Sequence, residues 1–254
     1  LEILKKSDII LCEDTRHSLK LLNHFKIKKK LISYHKFNEK KKILEIIQHI
    51  NQGKILSLIS DAGTPLLSDP GKLLLNECIK NNINVFPIPG ASSIITAMSI
   101  SGFNDKFLFY GFLPKKEKEL NETLSYLKNA PYTLIFFSPA NKINFYINFF
   151  RIFFSGRKLM IAKELTKIHE TIYRGEIDNF NMFKTQIKGE ITLVISEPDI
   201  KTKQLDKKTI ISKAKKYLKK YTLKDTVNFI FEKEKVNRKE IYQICLDLKN
   251  EKKI

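Results

Sequence analysis

The sequence predicts an α/β protein: two α/β domains followed by a C-terminal helical extension. Three observations predict it. Short β-branched apolar runs alternate with amphipathic stretches of helical length, the strand runs are apolar throughout rather than alternating, and strand signals stop near position 200. Runs without polar alternation argue for mainly parallel sheets covered on both faces. A chain of 254 residues with 43% hydrophobic content is long enough to bury two cores.

The predicted strands are 8–12 (DIILC), 31–34 (LISY), 55–60 (ILSLIS), 84–88 (NVFPI), 107–112, 132–137 (YTLIFF), 158–163 and 190–196. Helical periodicity falls on 15–25, 39–51, 71–81, 92–101, 116–128 and 142–153. Asn38 is placed to cap the helix at 39–51 and Gly53 to close it. The stretch "GFLPKKEKE" mixes Gly, Pro and charge, which predicts a hinge near 113–116. The expected domains are therefore 1–113, 114–200 and a basic extension, 201–254, with short helices at 208–220, 223–234 and 238–249. The chain opens on Leu1 and enters a strand-like run almost at once, as a fragment lacking its first strand would.

The net charge is +19, and residues 201–254 carry seventeen Lys/Arg against seven Asp/Glu, or +10. Such a field attracts polyanions, nucleic acid above all; the alternative is a lysine-rich coding bias on every solvated face. No window approaches 18 consecutive apolar residues, and "LEILKK" has no signal-peptide character. Cys12, Cys78 and Cys245 are far apart and odd in number, which fits ordinary thiols in a reducing cytoplasm. No His/Cys/Asp cluster has ligand spacing, so no metal is expected.

"ISDAGTPLLSDPG" (59–71) ends a buried strand, where α/β proteins bind ligands. Ala62 and Gly63 let a ligand approach the backbone, and Ser60, Asp61 and Thr64 offer polar groups. The plainer reading is a strand-to-helix connection with Asp69 capping the helix at Pro70. "PIPGASS" (87–93) is a second small-residue loop, with Gly90 before Ser92 and Ser93 at a helix start. Two such loops at neighbouring strand ends suit a flat polar cofactor. In "CEDTRHS" (12–18), Glu13, Asp14 and Arg16 are functional candidates, or Asp14 caps the helix at Thr15. "AKELTKIHETIYRGE" (162–176) contains Lys163, Glu164 and Thr166 and also permits an ordinary edge strand.

Taken in order, "CEDTRHSLKLL", "SDAGTPLLSDPG", "PIPGASSIITAMSISG", "GFLP", "KELTKIHETIYRG" and "GEITLVI" resemble the ribosomal RNA small subunit methyltransferase I family, within the tetrapyrrole methylase fold. The resemblance spans about positions 2–197, and "LKDTV" with "NRKEIYQICL" extends it into the tail. It implies an S-adenosylmethionine-dependent enzyme, a cytoplasmic homodimer, that methylates a cytidine ribose 2′-hydroxyl in the decoding region of 16S rRNA or the small ribosomal subunit. It carries cofactor contacts onto Asp61, Thr64, Ser93 and Ile94, and onto Ser138, Thr166 and Thr192. Glu164, Asp14 and Glu13 are then candidate bases, with Arg16 and Lys163 as positioning or electrostatic groups; no spacing argument selects among them. Two alternatives stay open: a tetrapyrrole-type small-molecule methylase, and a catalytically impaired RNA-binding relative.

Two departures stand out. The P-x-P-I-G-N-L loop of family members, which would line the cofactor cleft, has no counterpart in this sequence. The usual S-P-H-R reads Ser138-Pro139-Ala140-Asn141-Lys142, so an Arg fork has become a Lys, which lacks the bidentate geometry.

Overall fold

The computed structural model describes residues 1–199, 207–234 and 238–250. Two compact units result, Leu1–Glu197 and Pro198–Ile254. The first begins with helix α1 (Glu2–Lys6), ahead of the strand expected at 8–12. Strand β1 (Ile9–Cys12), helix α2 (Thr15–His24), strand β2 (Lys30–Ser33), helix α3 (Glu39–Asn51), strand β3 (Leu56–Ile59), and helices α4 (Lys72–Lys80) and α5 (Ser93–Ser101) follow.

The three strands form a parallel sheet in the order β2-β1-β3. Strand β1 is central and wholly buried. Ile9 and Leu11 pack with Ile46 of α3 and Leu74 of α4, while Ile10 faces Leu22 and Ile27 on the other side. That two-sided burial explains why DIILC reads as one apolar run.

The strand expected at 84–88 does not form. Among the described residues no strand pairs with it, and Pro87 and Pro89 remove ladder donors on either side of Ile88. Val85, Phe86 and Ile88 are left 53%, 77% and 59% exposed.

Strand β4 (Phe107–Phe112), helix α6 (Glu117–Leu127), strand β5 (Thr133–Pro139), a 3₁₀ turn at Ala140–Lys142, helix α7 (Ile143–Phe153), and strands β6 (Lys158–Lys163), β7 (Thr171–Glu176) and β8 (Glu190–Ile195) build the second sheet. Its order is β4-β5-β8-β6-β7. Only β4 and β5 run parallel; β5–β8, β8–β6 and β6–β7 are antiparallel, which corrects the expectation of mainly parallel sheets. The reason is that apolar continuity reports coverage of both faces, not strand direction. One face carries Leu124 of α6 and Phe150 of α7 against Phe136 and Leu193. On the other face Ile94 and Ala97 of α5 pack against Ile135, Met160 and Val194. Strand β7 is the edge strand that the sequence permitted at this position. Strand β4 lies before the expected hinge at 113–116, yet it belongs to this second sheet.

The second unit contains helices α8 (Lys207–Tyr217), α9 (Leu223–Glu234) and α10 (Arg238–Asn250). They enclose a core of Ile210, Ala214, Val227, Ile230, Ile241, Cys245 and Leu248. The expected boundary at 200/201 lies outside the described residues. All three cysteines are buried and free. No helix among the described residues is long and apolar enough to cross a membrane.

Candidate active site

The loops at the strand ends of the two sheets face one another across a cleft of about 420 Å³. That is within the range of about 300–1,000 Å³ usual for small-molecule sites. Three chain segments form its first wall and are tied to one another. Thr64 Oγ1 donates to Ala91 O at 2.9 Å, joining the 61–71 turn to the loop before α5. The Asp14 amide donates to Asp61 Oδ1 at 3.4 Å, joining the end of β1 to the same turn. Ser60 Oγ donates to the carbonyls of Ala62 and Gly63, both at 3.1 Å, curling the turn on itself.

The turn is also strained. Gly63 accepts a φ of 71° at no cost, but Leu66 and Ser68, both at 73°, do not. The end of the turn is anchored by Glu39, a buried acid in the first turn of α3, whose Oε1 accepts from the Gly71 amide at 2.6 Å.

The second wall comes from β5, β6 and β8. Ser138 and Thr192, 3% and 5% exposed, contribute hydroxyls at the cleft base. Phe112 and Phe137, in edge-to-face contact at 5.3 Å, supply an apolar side. After β6 the chain turns through two left-handed residues, Glu164 and Thr166, with φ of 53° and 66°. Glu164 Oε1 accepts from the Glu190 amide at 2.7 Å and meets Lys167 Nζ at 3.2 Å. Lys167 also reaches Glu190 Oε1 at 3.2 Å. This clasp joins the β6 end to the start of β8.

Of the residues singled out in the sequence, Asp61, Gly63, Thr64, Ser93 and Ile94 line the first wall, with Ser138, Thr166 and Thr192 opposite. Gly90 lies just outside, next to the lining residue Ala91. Glu13 lines the cleft, whereas Asp14, Arg16, Lys163 and Glu164 do not. Asp14 is the N-cap of α2: Oδ1 accepts from the Arg16 amide at 2.8 Å, and both carboxylate oxygens receive the Arg16 guanidinium. That hydrogen-bonded guanidinium holds its carboxyl well below the usual carboxylate range. Glu164 is held low too, first by the Glu190 amide and then by Lys167. Lys163 Nζ is directed to the His169 carbonyl at 3.4 Å.

Asp69 went unrecognised by sequence reasoning, which gave it a helix cap. Helix α4 instead has Gly71 at its N-cap with no side-chain cap, and Asp69 lines the cleft. Burial, then the nearby charges of Glu13, Asp61 and Glu190, push its carboxyl up to about 6. Asn38 likewise sits at the N-cap of α3 without capping it. Its side chain turns back to the His35 amide and the Ser33 carbonyl.

In a chain of net charge +19 the cleft is acidic: Glu13, Asp61, Asp69 and Glu190 line it together with a single cation, Lys167. A small cofactor that carries positive charge fits that lining, with polar loops for its sugar and amino acid and the two rings for its base. The uncapped N-terminus of α5, at Ser93, offers free amides to a carboxylate. Among the described residues no group of three His, Cys, Asp or Glu is arranged to hold a metal ion. A depression of similar size, about 430 Å³, lies in the helical unit between Lys215, Tyr221 and Lys249, but it has no carboxylate in its lining.

The profile of the family described as Tetrapyrrole (Corrin/Porphyrin) Methylases matches residues 1–181. Among solved structures, the methyltransferase CobJ superposes with a TM-score of 0.58 at 12% identity, covering 77% of this chain and 85% of that one. Uroporphyrin-III C-methyl transferase from Thermus thermophilus, complexed with S-adenyl homocysteine, superposes with a TM-score of 0.54 at 12% identity, covering 77% and 88%. Those two likenesses concern the fold. Curated relatives are nearer in sequence. The protein named ribosomal RNA small subunit methyltransferase I from Mesomycoplasma conjunctivae is 41% identical over 85% of this chain and 91% of its own length. Those of the same name from Rickettsia prowazekii and Buchnera aphidicola are 39% and 36% identical, covering 95% and 97% of this chain and 88% and 89% of theirs. The chain therefore belongs to the ribosomal RNA small subunit methyltransferase I family, on the tetrapyrrole methylase fold.

Proposed function

We propose that this protein, an S-adenosylmethionine-dependent rRNA methyltransferase, transfers its methyl group to the 2′-hydroxyl of a cytidine in the decoding region of 16S rRNA. The observation that carries the reading is the charge contrast: an acidic cleft suited to a cationic donor within a chain of net charge +19. In this reading Asp61, Thr64, Ser93 and Ile94 hold the cofactor from one side, and Ser138, Thr166 and Thr192 hold it from the other. When bound, the cofactor supplies an electrophilic methyl on a sulfonium. The protein's part is to align a ribose oxygen behind that carbon and to accept its proton. The 2′-hydroxyl also distinguishes RNA from DNA.

The helical unit supports an RNA partner. Exposed Tyr221 and Phe229 form an aromatic group with the half-buried Tyr217, and Lys233 Nζ lies 5.9 Å from the Tyr217 ring centre. Exposed rings on a basic surface suit base stacking and phosphate tracking. A homodimer in the cytoplasm, acting on 16S rRNA or the assembled small subunit, is part of the same proposal. A small-molecule tetrapyrrole substrate gives no reason for the +10 tail.

The test is nucleoside mass mapping of 16S rRNA after incubating small subunits with the protein and labelled S-adenosylmethionine. One 2′-O-methylcytidine in the decoding region is expected, with RNA affinity falling steeply as salt rises. Label on a base, or none on rRNA, would refute the assignment.

A further inference from the structure

We propose that Asp69 is the group that receives the ribose hydroxyl proton during methyl transfer, a role that rests on the 2′-O reading above. Two features of its surroundings separate it from Asp14, Glu164, Asp61 and Glu190, and a third, its place on the held turn, separates it from Glu13, which also lines the cleft. First, Asp69 lines the cleft, whereas Asp14 and Glu164 do not. Second, its carboxylate has no hydrogen-bond or ion-pair partner among the described residues. Asp14 is occupied by Arg16, Glu164 by the Glu190 amide and Lys167, and Glu190 by Lys167. Asp61 accepts the Asp14 amide, with His17 Nδ1 at 3.6 Å. An acceptor already filled by donors is a weak base, because those donors stabilise its charged form.

Third, Asp69 is half-buried at the end of a turn that the protein holds against its own preference. Leu66 and Ser68 keep left-handed backbones, and the buried Glu39 grips the Gly71 amide two residues on. The carboxyl is thereby fixed in the cleft by groups that do not occupy its oxygens. Glu13 from the end of β1, Asp61 from the same turn and Glu190 from the start of β8 are the charged groups that face it, and Lys167 lies on the opposite wall. Burial and those three acids raise its pKa to about 6, so it is ionised at neutral pH and still basic enough to accept a proton. Glu13 lines the cleft as well, and it is the comparison residue.

The step balances as follows. The 2′-oxygen forms a bond to the methyl carbon while the carbon–sulfur bond breaks and the sulfonium leaves as a neutral thioether. The O–H bond breaks and its proton passes to an Asp69 Oδ. No oxidant or further reactant is required.

The experiment compares the full wild-type chain with Asp69→Asn, Asp69→Glu and Glu13→Gln. Readouts are the single-turnover rate on small subunits from pH 5 to 8, calorimetric binding of S-adenosylhomocysteine, and mass mapping of the product. Wild type is expected to gain rate through an inflection near pH 6. Asp69→Asn is expected to lose about 100-fold or more in rate, and the inflection with it, while binding the thioether product normally. Asp69→Glu should restore part of the rate with a shifted inflection. A wild-type rate in Asp69→Asn, or a loss that merely follows weaker cofactor binding, would overturn the role while leaving 2′-O-methylcytidine as the product. A loss in Glu13→Gln matching the Asp69→Asn pattern would also overturn it, transferring the proton to Glu13. A wild-type product methylated on a base would instead remove the reading on which the role rests.

Discussion

The two sheets of the α/β unit present opposite cases. In the second, β5, β6 and β8 are buried almost throughout, with helices α6 and α7 on one face and α5 on the other. In the first, only β1 is fully buried; β3 is half-buried along its length, and apolar residues at 85–88 lie open. Yet the first sheet carries the strained turn with Asp61, Thr64 and Asp69. The most deeply packed strands and the strained turn thus lie in different layers, although both sheets line the cleft.

The sharpest test of the contrast is truncation. Phe136→Ala, in the middle of β5, should cost about 3–5 kcal/mol, whereas Leu58→Ala on β3 should cost about 1–2 kcal/mol, read from urea unfolding midpoints. Equal costs would dissolve the distinction. Glu39→Ala comes next: it leaves the Gly71 amide without its partner and should cost about 1–3 kcal/mol. Calorimetry should also show weaker S-adenosylmethionine binding, since the turn loses its anchor. On the other wall, Gly189→Ala places a Cβ at φ +104°, 2.6 Å from the Glu164 side chain. It should cost about 1–3 kcal/mol by thermal unfolding, at the lower end if Glu164 swings aside.

Asp69→Asn should show a smaller effect of opposite sign. A carboxyl whose folded pKa is about 6, above its ordinary 3.8, contributes stability below pH 3.8 that is lost as pH rises through 6. Asn mimics the neutral form. The variant should therefore melt above wild type at pH 8 and with it at pH 3.5; a lower melting point at pH 8 would contradict the burial argument. Smallest of all, Lys6→Ala breaks an exposed pair with Glu2 and should change stability by less than about 0.5 kcal/mol.

Much of this molecule was legible in its sequence, and the failures share a cause. Helices 39–51 and 223–234 and strand 158–163 have the expected bounds, because periodicity and Gly53 are local signals. Asp14 as a cap was legible for the same reason. Strand direction in the second sheet and the unpaired run at 84–88 depend on which partner lies alongside, which no local pattern encodes. The small-residue loops announced a cleft. Asp69 did not announce itself, because D-P-G reads as a helix start, whereas in the fold Gly71 takes the N-cap and its amide meets Glu39, 32 residues upstream. Glu164 looked reactive in isolation, but Lys167 meets it from three residues on and Glu190 is brought to it by the pairing of β6 with β8.

Helix α5 ties the two walls of the cleft together. Its first turn borders the cofactor loops of the first sheet, while Ile94 and Ala97 are rooted in the core of the second. The first wall, to which Ser93 and Ile94 belong, is thereby rooted in the second sheet. Thr64 bonds to Ala91 just ahead of the same helix, so the 61–71 turn and the β5–β6–β8 wall are linked through α5.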